Sequence, residues 1–175
     1  VTTFATERPR IGHIAEMVTA TGTIQPLDTV AVGTQVSGTV KKIYVDYNSI
    51  VKKGQLLAEL DKTLFQASVD QAKGNLAQQQ SQLIYQEGNF DRQSQLYKAG
   101  AISKADYDNA LYTYSAAKAA VSSQQAYLAT AEKNLSLSSI YSPIEGTVLS
   151  RNVSEGQTVA ASFSTPTLFI IAKDL

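Results

Sequence analysis

Between residues 63 and 138 apolar side chains return at every seventh position. Val69, Leu76, Leu83, Phe90 and Tyr97 make one series; Tyr107, Tyr114, Val121, Leu128 and Leu135 make another. A seven-residue period sustained over five heptads on each side predicts two coiled-coil helices. The two series mirror one another about residue 102, so folding the chain back there sets Tyr97 opposite Tyr107 and Val69 opposite Leu135. A second pair of series, Ala72, Gln79, Gln86, Gln93 and Ala110, Ala117, Gln124, Ala131, lies three residues on. Its small and amide side chains let the helices approach closely but make a thin seam. The reversal is written locally. Gly100 can take the left-handed conformation that ends a helix. Ser103 with Asp106 three residues on makes a capping box, and Ile102 before the cap can staple onto Tyr107. Helices of about 36 residues at 1.5 Å per residue make an arm roughly 50–55 Å long. An arm so thin has no use within a globule, so it must reach something.

On either side the pattern changes. Residues 28–60 and 139–172 are rich in Val, Thr, Ile and Gly and alternate as strands do, as in Val36-Ser-Gly-Thr-Val40. They also repeat each other. Val36-Ser-Gly-Thr-Val40, running on to Val45 and then Val51-Lys-Lys-Gly-Gln55, is answered by Ile144-Glu-Gly-Thr-Val148 and Val153-Ser-Glu-Gly-Gln157. Each half holds about 35 residues, too few to bury a core alone. The economical fold is α+β: one small β-sandwich whose halves, 28–62 and 139–175, are split by a long antiparallel helical hairpin at 63–138. Residues 1–27 form a leading segment.

Composition sharpens the functional picture by exclusion. The chain has 175 residues, with 15 Lys+Arg against 15 Asp+Glu, one His and no Cys. Zero net charge supplies no attraction for nucleic acid. Without Cys there is no disulfide framework and no thiolate metal site. A lone His13 in a polar stretch reads as a surface residue, so no metal ligand set, no catalytic triad and no cofactor is expected, and the protein is read as a non-enzyme. The hairpin segment holds 14 Ala and 11 Gln and no Pro, the composition of long solvated helices. Apolar runs such as Thr167–Ala172 fall far short of the ~20 residues of a spanning helix. Both ends read as cut, as in a piece of a longer protein.

The arrangement resembles the periplasmic adaptors of tripartite export pumps, the membrane fusion proteins, over essentially the whole chain. Thr21-Gly-Thr-Ile-Gln-Pro26 is similar to the segment leaving the membrane-proximal β domain. Val45-Asp-Tyr-Asn-Ser49 with Val51–Asp61 is similar to the first half of the adaptors' lipoyl-like domain, particularly in MacA-like adaptors of ABC-type transporters. Tyr141-Ser-Pro-Ile-Glu-Gly-Thr-Val148 is similar to the start of the second half. At the hairpin tip the family carries Arg-x3-Leu-x6-Ser, met here by Arg92, Leu96 and Ser103. The resemblance implies that these three dock on a TolC-like outer-membrane channel. It further implies an inner-membrane transporter as the other partner and self-association into a funnel, six copies by family analogy. It places the protein in the periplasm, held to the inner membrane by a segment upstream of Val1. The turn 153–159 would face the lumen, with Glu155 and Gln157 as candidates there. A pump of the resistance-nodulation-division (RND) type is the alternative engine. The family's β-barrel domain and most of its membrane-proximal domain have no counterpart in these 175 residues.

Each residue has a plainer reading. Arg92 could be a solvated charge paired with Asp91 or Asp106, worth little. Ser103 is a cap whatever the partner. The run Gln78–Gln82 is a solvated helix face or the lining of a water-filled tube. Asp61-Lys62 resembles the Asp-Lys of lipoyl and biotinyl carriers, but the helical insertion begins there and removes the exposed turn a swinging arm requires.

Overall fold

The computed structural model describes residues 1–22, 28–161 and 166–173. Positions 23–26 of the Thr21–Pro26 segment lie outside the described residues. Residues 1–22 carry no helix or strand and are exposed throughout, including Phe4, Ile11 and Ile14. Eight strands follow, interrupted by two helices: β1 Thr29–Gly33, β2 Gly38–Ile43, β3 Ile50–Val51, β4 Leu56–Leu60, α1 Thr63–Lys98, α2 Lys104–Leu137, β5 Ser139–Tyr141, β6 Gly146–Arg151, β7 Thr158–Val159 and β8 Thr167–Ala172.

The strands form two four-stranded antiparallel sheets, ordered β1-β8-β6-β3 and β5-β4-β2-β7. Each sheet takes two strands from each half of the chain. Between them lies one core containing Val40, Val51, Leu57, Leu60, Val148, Leu168, Phe169 and Ile171, all nearly inaccessible. Neither half can therefore complete a sheet or a core alone. Residues 28–62 or 139–175 alone should show no cooperative melt, whereas replacing 63–138 by a short Gly/Ser loop should leave a folded sandwich. Calorimetry of the three fragments checks this, and a cooperative transition in either half would contradict it.

The halves are related by an internal two-fold repeat whose register differs from the one the sequence suggests. Matching the two Val-x-x-Gly-Gln strings equates Gly54 with Gly156. The hydrogen bonds instead equate Val45–Val51 with Val153–Val159 at the same spacing that equates Val40 with Val148. The Val40 amide donates to the Gln157 carbonyl (2.9 Å), and the Val148 amide to the Ser49 carbonyl (3.0 Å). Gly156 N–H donates to the Val40 carbonyl (2.8 Å), and Asn48 N–H to that of Val148 (2.9 Å). Asn48, at φ 62°, thus does the work of Gly156, at φ 81°. Asn is among the few side chains that tolerate this left-handed conformation.

The hairpin keeps the register of the heptads. Phe90 stacks on Tyr114 at 5.3 Å and Tyr97 on Tyr107 at 4.9 Å, both pairs as the mirror pattern requires. Near the sandwich Val69, Ala72 and Ala131 are buried, with Leu128 and Leu135 packed against them. Gln79 sits half-buried in the seam, while Gln78, Gln80 and Gln82 are exposed as a solvated face.

Candidate functional site at the hairpin tip

The tip is built by local chemistry. At the end of α1 the Ala101 amide reaches back to the Leu96 carbonyl (2.8 Å) and the Gly100 amide to the Tyr97 carbonyl (3.0 Å), with Gly100 at φ 74°. This is a Schellman closure, which a left-handed glycine permits. Three residues later Ser103 caps α2. The Asp106 amide donates to Ser103 Oγ (3.2 Å), and the Ser103 amide (3.3 Å) and hydroxyl (2.6 Å) both donate to Asp106 Oδ2. Both ends of the reversal are thus satisfied without outside help, and Ile102 and Tyr107 are half-buried beside it.

Arg92 and Leu96 stand one turn apart on α1, both exposed. Arg92 is a solvated charge without either of the two carboxylate pairings considered above. Among the described residues the ion pairs are Lys62–Glu59 and Arg151–Asp46, so neither Asp91 nor Asp106 holds the guanidinium. It lies over Gly88, where an added Cβ would sit 3.6 Å from an Arg92 terminal nitrogen. The tip therefore presents a free guanidinium, five donors in a planar fork, next to an exposed leucine on a rigid, capped reversal. It offers hydrogen bonds to carbonyls or carboxylates and a small apolar area.

The two other candidates lie some distance away, in the turn between β6 and β7. Gln157 Oε1 accepts the Ser154 amide (3.0 Å), and Glu155 Oε1 accepts the Ile43 amide (2.9 Å). Both side chains are exposed but carry structural bonds, Glu155 to the opposite half. Arg151 makes the reciprocal tie, from β6 to Asp46 Oδ1 (3.0 Å). The start of α1 is tied down by Asp61 and Lys62 together with Tyr44, Glu59 and Thr63, which the sequence does not single out. Lys62 Nζ lies 2.7 Å from Glu59 Oε1, Tyr44 donates to Glu59 Oε2 (3.0 Å), and Asp61 Oδ1 accepts both the amide and the hydroxyl of Thr63.

These contacts depress three carboxyls below their ordinary range. The Lys62 ammonium and then the Tyr44 hydroxyl lower Glu59. The Tyr47 amide and then Arg151 lower Asp46. The Thr63 hydroxyl and amide lower Asp61. A depressed folded-state pKa contributes stability that is complete above the unfolded-state value and is lost as pH falls through the folded one. The melting temperature should accordingly hold from pH 7 down to roughly 4–5 and fall below that. Thermal melts from pH 7 to 3 test this, and a flat profile to pH 3 would contradict it.

Residues 28–171 match the family described as RND MFP, barrel-sandwich hybrid domain. The chain belongs to the membrane fusion protein family. This membrane fusion protein is 35% identical over 176 residues to the pyoverdine export membrane fusion protein PvdR of Pseudomonas aeruginosa, an alignment covering 93% of this chain and 45% of PvdR. It is 36% identical over 125 residues to the multidrug efflux pump subunit AcrA of Escherichia coli, covering 71% of this chain and 32% of AcrA. Among solved structures, MacA from Actinobacillus actinomycetemcomitans superposes with a TM-score of 0.74 at 38% identity, over 85% of this chain and 50% of MacA. The chain therefore spans half or less of the length of these relatives.

Proposed function

We propose that this protein is the hairpin-and-sandwich portion of a periplasmic adaptor that joins an inner-membrane transporter to a TolC-like outer-membrane channel for export. The observation that carries the proposal is the unpaired Arg92 beside exposed Leu96 at a self-sufficient tip, displayed at the end of two helices of 36 and 34 residues. A guanidinium with no ion pair among the described residues, held out on an arm roughly 50 Å long, is available to a partner at its end. Membership of a family that includes export and efflux subunits supports it. The decisive test is export by the full-length protein carrying Arg92→Asp.

The split sandwich would be the lipoyl-like domain of such an adaptor. Six copies side by side would close a conduit, with Glu155 and Gln157 at its narrow part and a membrane anchor joined to the chain outside these residues. The transporter is proposed to be of the ABC type, from the 38% identity to MacA. An RND pump is the second reading, favoured by the family description itself. Co-purification of the full-length adaptor with each transporter class separates the two.

A carrier role predicts a covalent adduct on Lys62. Here Lys62 is the cap residue of α1 and is paired with Glu59, so no exposed turn presents it to a ligase. Intact mass after co-expression with an active lipoyl or biotin ligase should show the unmodified chain. A lipoyl or biotinyl adduct at Lys62 would reverse this reading.

A further inference from the structure

We infer that the hairpin carries a built-in bending point part-way along its length, at the layer where Gln79 faces Gln124. The arm is secured at both ends. At the root, Val69, Ala72 and Ala131 are buried, the Leu60 amide donates to the Ser138 carbonyl (2.8 Å), and Lys62 is paired to Glu59. Toward the tip, Phe90 and Tyr97 of α1 form a continuous aromatic stack with Tyr107 and Tyr114 of α2, Phe90 also touching Tyr107 at 5.7 Å. The register fixed by these two blocks sets Gln79 opposite Gln124, and Gln86 opposite Ala117, in the stretch between them.

That stretch carries amide side chains in the seam. Gln79, Gln86 and Gln124 are half-buried in the seam. Among the described residues the glutamine side chains that find a protein partner are those of Gln55, Gln66 and Gln157, none in this seam. Two facing amides put donors and acceptors into the seam where the neighbouring layers set Leu76 against Leu128 and Leu83 against Val121. A polar layer in a coiled-coil seam lowers its stability locally. The backbone of α1 is weakest in the same place. Its two interior glycines, Gly74 and Gly88, bracket the layer, and a Cβ at Gly74 would meet nothing within 4 Å, so no packing requirement explains that glycine. Glycine lowers helix propensity, and helix bends concentrate at such positions. Ala117 and Val121, across from Gln86 and Leu83, are buried, so packing is weakest at the Gln79–Gln124 layer itself, close to Gly74. From residue 79 to the reversal is roughly 30 Å, so a bend of about 10° there moves the tip by about 5 Å. That gives the tip lateral compliance while the root stays fixed on the sandwich.

Hydrogen exchange on this chain, read by peptide mass spectrometry, tests the inference. Amides of 74–82 and 122–128 should exchange at least about tenfold faster than those of 64–73 and 129–137 and faster than the aromatic block at 89–97. The double variant Gln79→Leu/Gln124→Leu should slow exchange in that window by a similar factor and leave the root unchanged. It should also narrow the distance distribution between spin labels at positions 53 and 99. Gly74→Ala/Gly88→Ala, which adds no large apolar surface, should act in the same direction. Exchange that is uniform along the arm, or that rises steadily from root to tip, would overturn the inference. So would a window unchanged in both double variants. None of these measurements depends on an export partner, so they stand apart from the adaptor proposal.

Discussion

Arg92→Asp should abolish export by the full-length adaptor while leaving its melting temperature within about 1–2 °C of the parent. The side chain is exposed and pairs with no carboxylate among the described residues, and surface changes away from the core usually stay within ~0.5 kcal/mol. The partner side is different. A guanidinium seated against carbonyls or carboxylates at a desolvated interface, replaced by a carboxylate, loses its hydrogen bonds and gains repulsion, a cost of about 2–5 kcal/mol. At ~1.4 kcal/mol per decade that weakens docking roughly 30- to 3,000-fold. Two other tip variants separate docking from folding. Ser103→Ala removes the acceptor of the Asp106 amide, and should loosen the start of α2 by about 1 kcal/mol with a milder export defect. Tyr97→Ala removes the stack on Tyr107, and should cost about 1 kcal/mol beyond the lost apolar area, lowering stability and export together. Normal export by Arg92→Asp at normal expression would remove the docking role and leave a capped hairpin without an assigned purpose.

The parts of this structure legible in the sequence are those fixed over short distances or by one strong period. The heptads of Val69–Tyr97 and Tyr107–Leu135 give the helices, their antiparallel register and the aromatic pairs. Gly100, Ser103 and Asp106 give the reversal almost atom by atom, because capping is decided within a few residues. The sandwich was legible as a class and misleading in detail. The string Val-x-x-Gly-Gln occurs twice because the same tight turn occurs twice. Lys52 N–H bonds Gln55 Oε1 (2.9 Å) just as Ser154 N–H bonds Gln157 Oε1 (3.0 Å). Yet the first turn follows β3 and the second follows β6, and which turn corresponds to which is decided by the strand that pairs with it. Asn48, the true counterpart of Gly156, shares no residue type with it. Asp46–Arg151 and Glu155–Ile43 join residues more than a hundred positions apart, and nothing local signals them. Asp61 over Thr63 could have been found, since an Asp two residues ahead of a Thr at a helix start is a recognisable turn pattern.

The largest expected effect on stability comes from a single methyl group, and it differs between two positions the sequence presents as equivalents. Gly38 and Gly146 both open a Gly-Thr-Val strand, β2 and β6, and are related by the internal repeat. A Cβ at Gly38 would meet Leu60 side-chain atoms at 3.5 and 3.6 Å and the Phe65 ring at 3.8 Å, ordinary contacts. Gly38→Ala should therefore change stability by less than about 1 kcal/mol. A Cβ at Gly146 would clash with the carbonyl oxygen of Ala172 and lie 2.7 Å from its carbonyl carbon. That obstacle is backbone, in the final residue of β8, and it cannot rotate away as a side-chain tip can. β8 is paired on both sides, with β1 and β6, and contributes Leu168, Phe169 and Ile171 to the core. Moving it to admit the methyl disturbs the whole first sheet. Gly146→Ala should cost more than about 4 kcal/mol, the range reserved for backbone strain and core disruption. In a domain whose total is of order 5–15 kcal/mol this leaves the sandwich barely folded or unfolded. Urea denaturation of the two variants side by side is the measurement. A Gly146→Ala stability within about 1 kcal/mol of that of Gly38→Ala would mean that β8 yields there, and that the close approach of Gly146 to Ala172 is not what fixes β8 against β6.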